Sequence, residues 1–166
     1  RKPQFARIEK VIPKSEWNVL QKEAKKKGIT TSTLLCTAYA LVLGYWSNQP
    51  ELTINVTVFT RYPFNEGVTD IVGDFTSVIL LRVNLLGRSD FWKLASEIQN
   101  QLMDALEHRH YDGMNVIRKI AEQAEMKEQA VMPVVFTSLL FSMEEGDIVT
   151  IEDLGEVKMG VSQTSQ

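Results

Sequence analysis

Hydrophobic residues recur in this chain at two spacings, and the change from one to the other marks out its elements. Residues 5–11 form a short strand-like lead, and Pro13 with Ser15 then announces a helix. Trp17, Leu20 and Ala24 line its apolar side, and Gly28 closes it. A second helix starts at Thr30 or Thr31, either of which can cap it, and runs to Ser47. Leu34, Leu35, Ala38, Tyr39, Leu41, Val42, Tyr45 and Trp46 spread apolar surface around more than one side, which predicts deep burial. Trp17, Trp46 and Phe91 all read as core side chains.

The period then falls to two. Over residues 52–60, Leu52, Ile54, Val56 and Val58 occupy one side of a strand, with Thr53, Asn55 and Thr57 on the other. A loop over 61–70 carries Pro63 and Gly67, and Val72-Gly73-Asp74-Phe75-Thr76-Ser77 leads into a strand over 78–84. A long helix follows Asp90, with Phe91, Leu94, Ala95, Ile98, Leu102 and Leu106 at helical spacing, and another covers about 114–126. Residues 132–141 read as a strand opened by Pro133. An acidic loop with Glu144, Glu145 and Asp147 precedes a last strand-like piece over 156–161. This order is mixed rather than a regular βα alternation, which argues against a doubly wound nucleotide fold. The expected class is α+β, a mixed sheet flanked by helices.

The strand over 132–141 holds an anomaly. A strand buried on both faces should be almost wholly apolar. This one carries Thr137 and Ser138 at its middle, on opposite faces because side chains alternate. A buried hydroxyl without a partner costs roughly 1–3 kcal/mol. Each must therefore be satisfied structurally or presented to a ligand.

With 166 residues, 44% of them hydrophobic, residues 1–166 can form one domain or one lobe of something larger. The formal charge of −3 argues against a nucleic-acid or anionic-membrane surface. The basic run from Lys22 to Lys27 ends an amphipathic helix, where it complements the helix dipole. Cys36, a lone cysteine within an apolar helical run, reads as a small core residue and fits a reducing, cytoplasmic compartment. No apolar run is long enough to span a bilayer. The start at Arg1 and the stop at Gln166 suggest a segment of a longer polypeptide.

Most familiar catalytic motifs are missing. There is no phosphate loop, C-x-x-C, H-E-x-x-H or nucleophile elbow. His108 and His110 stand two apart on a helix, which does not suit paired metal ligands, and no metal site is expected. His108, Asp112 and Gly113 do match the H-x-x-x-D-G pattern of CoA-dependent acyltransferases and condensation domains. Here, however, the histidine ends a polar–apolar helix, and Asp112-Gly113 reads as the turn before the next one.

Four blocks instead carry a resemblance. They are Thr31 to Ser47 (TSTLLCTAYALVLGYWS), Gly73-Asp74-Phe75-Thr76-Ser77, Pro133-Val134-Val135-Phe136-Thr137-Ser138, and Ser162-Gln163-Thr164-Ser165-Gln166. In order and spacing they closely resemble the heterocyclization domains of nonribosomal peptide synthetases, where they read approximately TPSxLLxxAYAxVLxxWS, GDFTS, PVVFTS and SQTPQ. The run ending Thr60-Arg61-Tyr62-Pro63 is similar to the family's strand before an R-x-P turn. Thr31 and Ser165 stand where prolines are common.

The resemblance implies the second, C-terminal lobe of a chloramphenicol-acetyltransferase-like, two-lobed fold, with the first lobe outside this sequence. It implies condensation of carrier-bound thioesters, followed by cyclodehydration of Cys, Ser or Thr to a thiazoline or oxazoline. No cofactor is implied beyond the phosphopantetheine arms of upstream and downstream carrier domains, and an adenylation domain is an expected neighbour. Thr137 matches the family threonine that handles the proton of ring closure, partnered by an aspartate expected just beyond Gln166. Asn55, Gln163 and Thr164 are implied substrate contacts. Asp74 is expected to tie a loop at the tunnel mouth, an arginine being one candidate partner, and Ser138 to be a packing hydroxyl. An ordinary amide-forming condensation lobe and a noncatalytic carrier-docking scaffold are the alternatives.

Overall fold

A computed structural model describes residues 6, 8–62, 64–87, 90–123, 132–138 and 140. Helix α1 spans Lys14–Lys26 and ends at Gly28, whose φ of +69° suits a residue without a Cβ. Helix α2 spans Thr31–Ser47. Its cap is Thr30, whose hydroxyl oxygen accepts the Thr33 N–H. Strands β1 (Glu51–Phe59) and β2 (Thr76–Asn84) form an antiparallel ladder. Between them, Glu66–Asp70 makes a short 3₁₀ turn. Helix α3 (Phe91–Glu107) is capped by the Asp90 carboxylate, α4 is Gly113–Gln123, and β3 is Val135–Phe136.

Among the described residues the sheet order is β2-β1-β3, with β3 parallel to β1. Strict alternation gives β1 two different faces. Ile54, Val56 and Val58 join Ile79, Leu81 and Val83 of β2 beneath α2 and α3, against Cys36, Ala40, Leu94, Ile98 and Leu102. Burying each such aliphatic side chain contributes about 1.5–3 kcal/mol, so this layer dominates the stability. A smaller cluster of Ala24, Ile29, Leu34 and Ala95 ties α1 to the other helices, with Phe91 and Trp92 packed on its side. Helix α4 meets the sheet at β2. A Cβ built on Gly113 would lie 2.9 Å from the Val78 carbonyl oxygen, so glycine permits this close approach.

Several expectations need correction. The described part of 5–11 forms no strand, and Ile8 and Val11 are exposed. A strand needs a ladder partner, and the observed pairings are β1 with β2 and β1 with β3. Helix α2 is not buried all round. Thr33, Cys36, Thr37, Ala40 and Gly44 face inward, whereas Val42, Tyr45 and Trp46 stand outside, Trp46 with 80% of its surface exposed. Trp46 is therefore not core, while Trp17 and Phe91 are half-buried. Among the described residues, the strand expected over 132–141 makes ladder contacts at Val135 and Phe136, with β1 as its neighbour. The acidic loop, the piece over 156–161 and the last part of 114–126 lie outside the described residues.

Among those residues no single helix is long and apolar enough to cross a membrane. Helices α1 and α2 pass that test only together, across a 100° bend.

Candidate functional site

Two of the four sequence blocks, the first and the third, meet around the end of β3. Because Val135 pairs with Asn55 and Phe136 with Val56, Phe136 falls on the helix-covered face. There its ring lies 5.9 Å from that of Tyr39 on α2. Ser138, two residues on, shares the direction of Phe136, and its hydroxyl lies 2.7 Å from that of Ser32 in the first turn of α2. Thr137 goes to the opposite face. It is exposed, and its hydroxyl lies 2.8 Å from the hydroxyl of Thr57 on β1. Two consecutive residues thus make two hydroxyl–hydroxyl hydrogen bonds, one on each side of the sheet. Either oxygen of each pair can donate, so each pair can reverse its polarity without moving heavy atoms.

Asn55 shares its face with Thr57, one alternation away. It is only 5% exposed. Its Nδ2 donates to the Met132 carbonyl at 2.6 Å, and its own N–H donates to the Val134 carbonyl at 2.9 Å. Asn55 therefore holds the stretch that delivers Thr137. Its Oδ1 is buried and accepts no hydrogen bond among the described residues. An orphaned buried acceptor costs about 1–3 kcal/mol.

Beneath the Ser32–Ser138 bond lies a cavity of about 60 Å³, walled chiefly by Val56, Val58, Ile79, Leu102, Leu106 and Phe136. Thr57 also contributes to its lining, while its hydroxyl bond to Thr137 lies on the other side of the sheet.

At the far end of β1, the R-x-P turn meets the Gly73–Ser77 block. Both the N–H and the hydroxyl of Thr60 donate to the Phe75 carbonyl, at 2.8 and 2.9 Å. The Arg61 guanidinium lies 4.2 Å from the centre of the Phe75 ring and donates to the Val68 carbonyl at 2.8 Å. Asp74, expected to secure this loop through an arginine, acts locally: its carboxylate accepts the Thr76 N–H at 2.8 Å. The Thr76 hydroxyl and then its N–H hold the exposed Asp74 carboxyl below the usual carboxylate range.

His108 is the C-cap of α3, as its helix-end reading expects. Its Nδ1 lies 2.8 Å from the Asp104 carbonyl, and that contact, aided by the Asp104 carboxylate, raises its pKa. Asp112 caps α4 by accepting the Asn115 N–H at 2.9 Å, and its other oxygen accepts the Ser77 hydroxyl at 2.9 Å. The H-x-x-x-D-G match is thus built from two helix ends. Burial pushes the Cys36 thiol up to about 12, which leaves it unreactive at neutral pH. Gln163 and Thr164 lie outside the described residues.

Sequence reasoning did not single out Ser32 or Thr57 as partners. Alternation puts Thr57 on the polar side of its strand, but the pairing with a residue 80 positions away depends on the parallel register of β3.

The sequence profile described as "Condensation domain" matches residues 2–166. The chain belongs to the condensation-domain family of nonribosomal peptide synthetases. It is 42% identical over 166 residues to "Bacitracin synthase 1" of Bacillus licheniformis, covering 99% of this chain and 3% of that one. It is 37% identical over 117 residues to "Phenyloxazoline synthase MbtB" of Mycobacterium tuberculosis, covering 70% of this chain and 8% of that one. The "EpoB NRPS cyclization-docking bidomain" of Sorangium cellulosum superposes with a TM-score of 0.66 at 35% identity, covering 78% of this chain and 26% of the other. The chain therefore spans a small fraction of each of these proteins. Condensation domains are acyl-transferring enzymes with the chloramphenicol-acetyltransferase-like fold, and they act on substrates carried on phosphopantetheine arms.

Proposed function

We propose that this chain is the C-terminal lobe of a heterocyclization domain, a condensation domain that also closes a ring. The single observation that carries the reading is the exposed Thr137 hydroxyl just after β3, hydrogen-bonded to Thr57 on the same face of the sheet. The words "cyclization" and "phenyloxazoline" in the names of two relatives support it.

In the proposed reaction an upstream acyl thioester and a Cys, Ser or Thr thioester arrive on two carrier domains. The acceptor amine attacks the upstream thioester carbonyl, the carbon–sulfur bond breaks, and the amide forms as the upstream phosphopantetheine thiol leaves with the amine's proton. The acceptor's thiol or hydroxyl then adds to the new amide carbonyl carbon, and its proton passes to the carbonyl oxygen. The carbon–hydroxyl bond breaks next, the nitrogen gives up its hydrogen, and one water leaves as the carbon–nitrogen double bond forms. Thr137 protonates or orients the departing hydroxyl. Thr57 holds the Thr137 hydroxyl in position, and the downstream aspartate implied by the family resemblance polarises it. Asn55 is assigned to the substrate amide through Oδ1, while Nδ2 keeps Met132 in place. Gln163 and Thr164 are proposed to contact the same substrate, and the first lobe completes the tunnel.

The test is Thr137→Val in the intact synthetase, with amide and ring measured separately. Amide formation should persist while ring closure falls by about 10²–10⁴, the usual contribution of a positioned proton-transfer group. Thr137→Ser should restore most of the loss. Ring closure at an unchanged rate in the valine variant would remove Thr137 from the mechanism.

A further inference from the structure

The face of the sheet that carries the Thr57 and Thr137 hydroxyls also carries two exposed apolar side chains. Alternation puts Thr53, Asn55, Thr57 and Phe59 of β1 on this face, and Ile54, Val56 and Val58 on the helix-covered one. Three of the first four are polar, the usual composition of a strand's outer side. Phe59 breaks that pattern, and 56% of its surface is exposed. Its cross-strand partner on β2, Thr76, is itself exposed and does not cover the ring. On β3 the same rule groups Val135 with Thr137, opposite Phe136, and Val135 is 47% exposed.

Their placement ties both to one spot. The parallel register sets Asn55 beside Val135 and Val56 beside Phe136, which brings Thr57 level with Thr137, their hydroxyls 2.8 Å apart. Phe59 stands two residues beyond Thr57, and Val135 two residues before Thr137. Side chains two apart on a strand are separated by about 7 Å. The hydroxyl pair is therefore bracketed along the strand direction, with a valine on one side and an aromatic ring on the other. Scattered exposed apolar residues need no explanation. Two that flank a hydrogen-bonded pair, within the span of one small molecule, combine apolar surface with a few placed polar groups, as ligand sites do.

We infer that Phe59 and Val135 are specificity-determining residues that pack against an apolar group of the carrier-bound substrate. The inference rests on Thr137 marking the substrate site. The same chemistry has two sources: the side chain of the upstream acyl residue, and the methyl group that distinguishes an acceptor threonine from serine.

The experiment uses the intact synthetase with its carriers loaded in vitro. It reads the single-turnover rate of total product, amide plus ring. In one arm the upstream residue is glycine or leucine with the acceptor fixed. In the other the acceptor is serine or threonine with the upstream residue fixed. Wild type should favour the more apolar member of one pair by about tenfold, the range expected for an apolar group in a matching site. Phe59→Ala should erase that preference. Val135→Thr keeps the shape of the side chain, exchanges a methyl for a hydroxyl, and should weaken the preference several-fold. The arm whose ratio moves identifies the source.

A purely structural role for these side chains would slow every substrate by one factor and leave the ratios alone. Ratios unmoved in both arms, in whichever variant folds, would overturn the inference. So would wild-type ratios within twofold of unity in both arms. If product accumulates only as linear amide, the ring-closing reading fails while the ratios still decide the roles of Phe59 and Val135, so the two failures are distinguishable.

Discussion

Thr137 and Ser138 are neighbours in sequence that serve opposite sides of one sheet. Alternation requires that divergence, so it was legible from the sequence once 132–141 was read as extended. Their partners were not. The bonds to Thr57 and Ser32 bridge 80 and 106 positions, and nothing local in the sequence encodes the register that creates them. The split makes the two hydroxyls separable. Thr57→Val removes the partner of Thr137 while keeping its own shape. If Thr57 positions the Thr137 hydroxyl, losing a hydrogen bond of about 1.4 kcal/mol should slow ring closure about tenfold and spare amide formation. Single-turnover assays following both products would show it. Equal slowing of both steps would point to a folding role for the Thr57–Thr137 pair.

At the scale of the element, period and punctuation located α1, α2, β1, β2 and α3 to within about two residues. Strong cues fixed their ends: Gly28 with its positive φ, Thr30 and Asp90 as caps, and Asn48 in the left-handed region after α2. Burial was harder to read. Helix α2 is apolar nearly all round, and composition alone cannot say that Val42, Tyr45 and Trp46 would be left outside. The sheet position of β3 was equally hidden: its parallel pairing with β1 is not encoded in any local pattern of 132–141. The junction of α4 with β2 gives a test at this scale. Gly113→Ala would drive a methyl to 2.9 Å from the Val78 carbonyl oxygen and 3.1 Å from Leu80 Cγ. Such overpacking should destabilise the fold by about 1–3 kcal/mol, measured as a shift in urea unfolding. A loss below about 0.5 kcal/mol would mean that α4 is free to shift away from β2.

For the whole molecule, four sequence blocks pointed to the condensation-domain family, and the fold brings the first and third of them together and seats the second on the R-x-P turn. Tyr39 and Ser32 of the first meet Phe136 and Ser138 of the third, while Thr60 and Arg61 meet Phe75 of the second. The parallel pairing of β3 with β1 brings Thr137 and Asn55 onto one face. Condensation domains transfer acyl groups between carrier-bound thioesters, and ring closure is the further step proposed for the domain to which this chain belongs. Its most direct test is intact-protein mass spectrometry of the downstream carrier after a single turnover of the wild-type synthetase. The carrier is loaded in turn with cysteine, serine and threonine. For at least one of them the product should be lighter than the linear amide by one water. A carrier that retains the full amide mass with all three, while condensation runs to completion, would contradict the account.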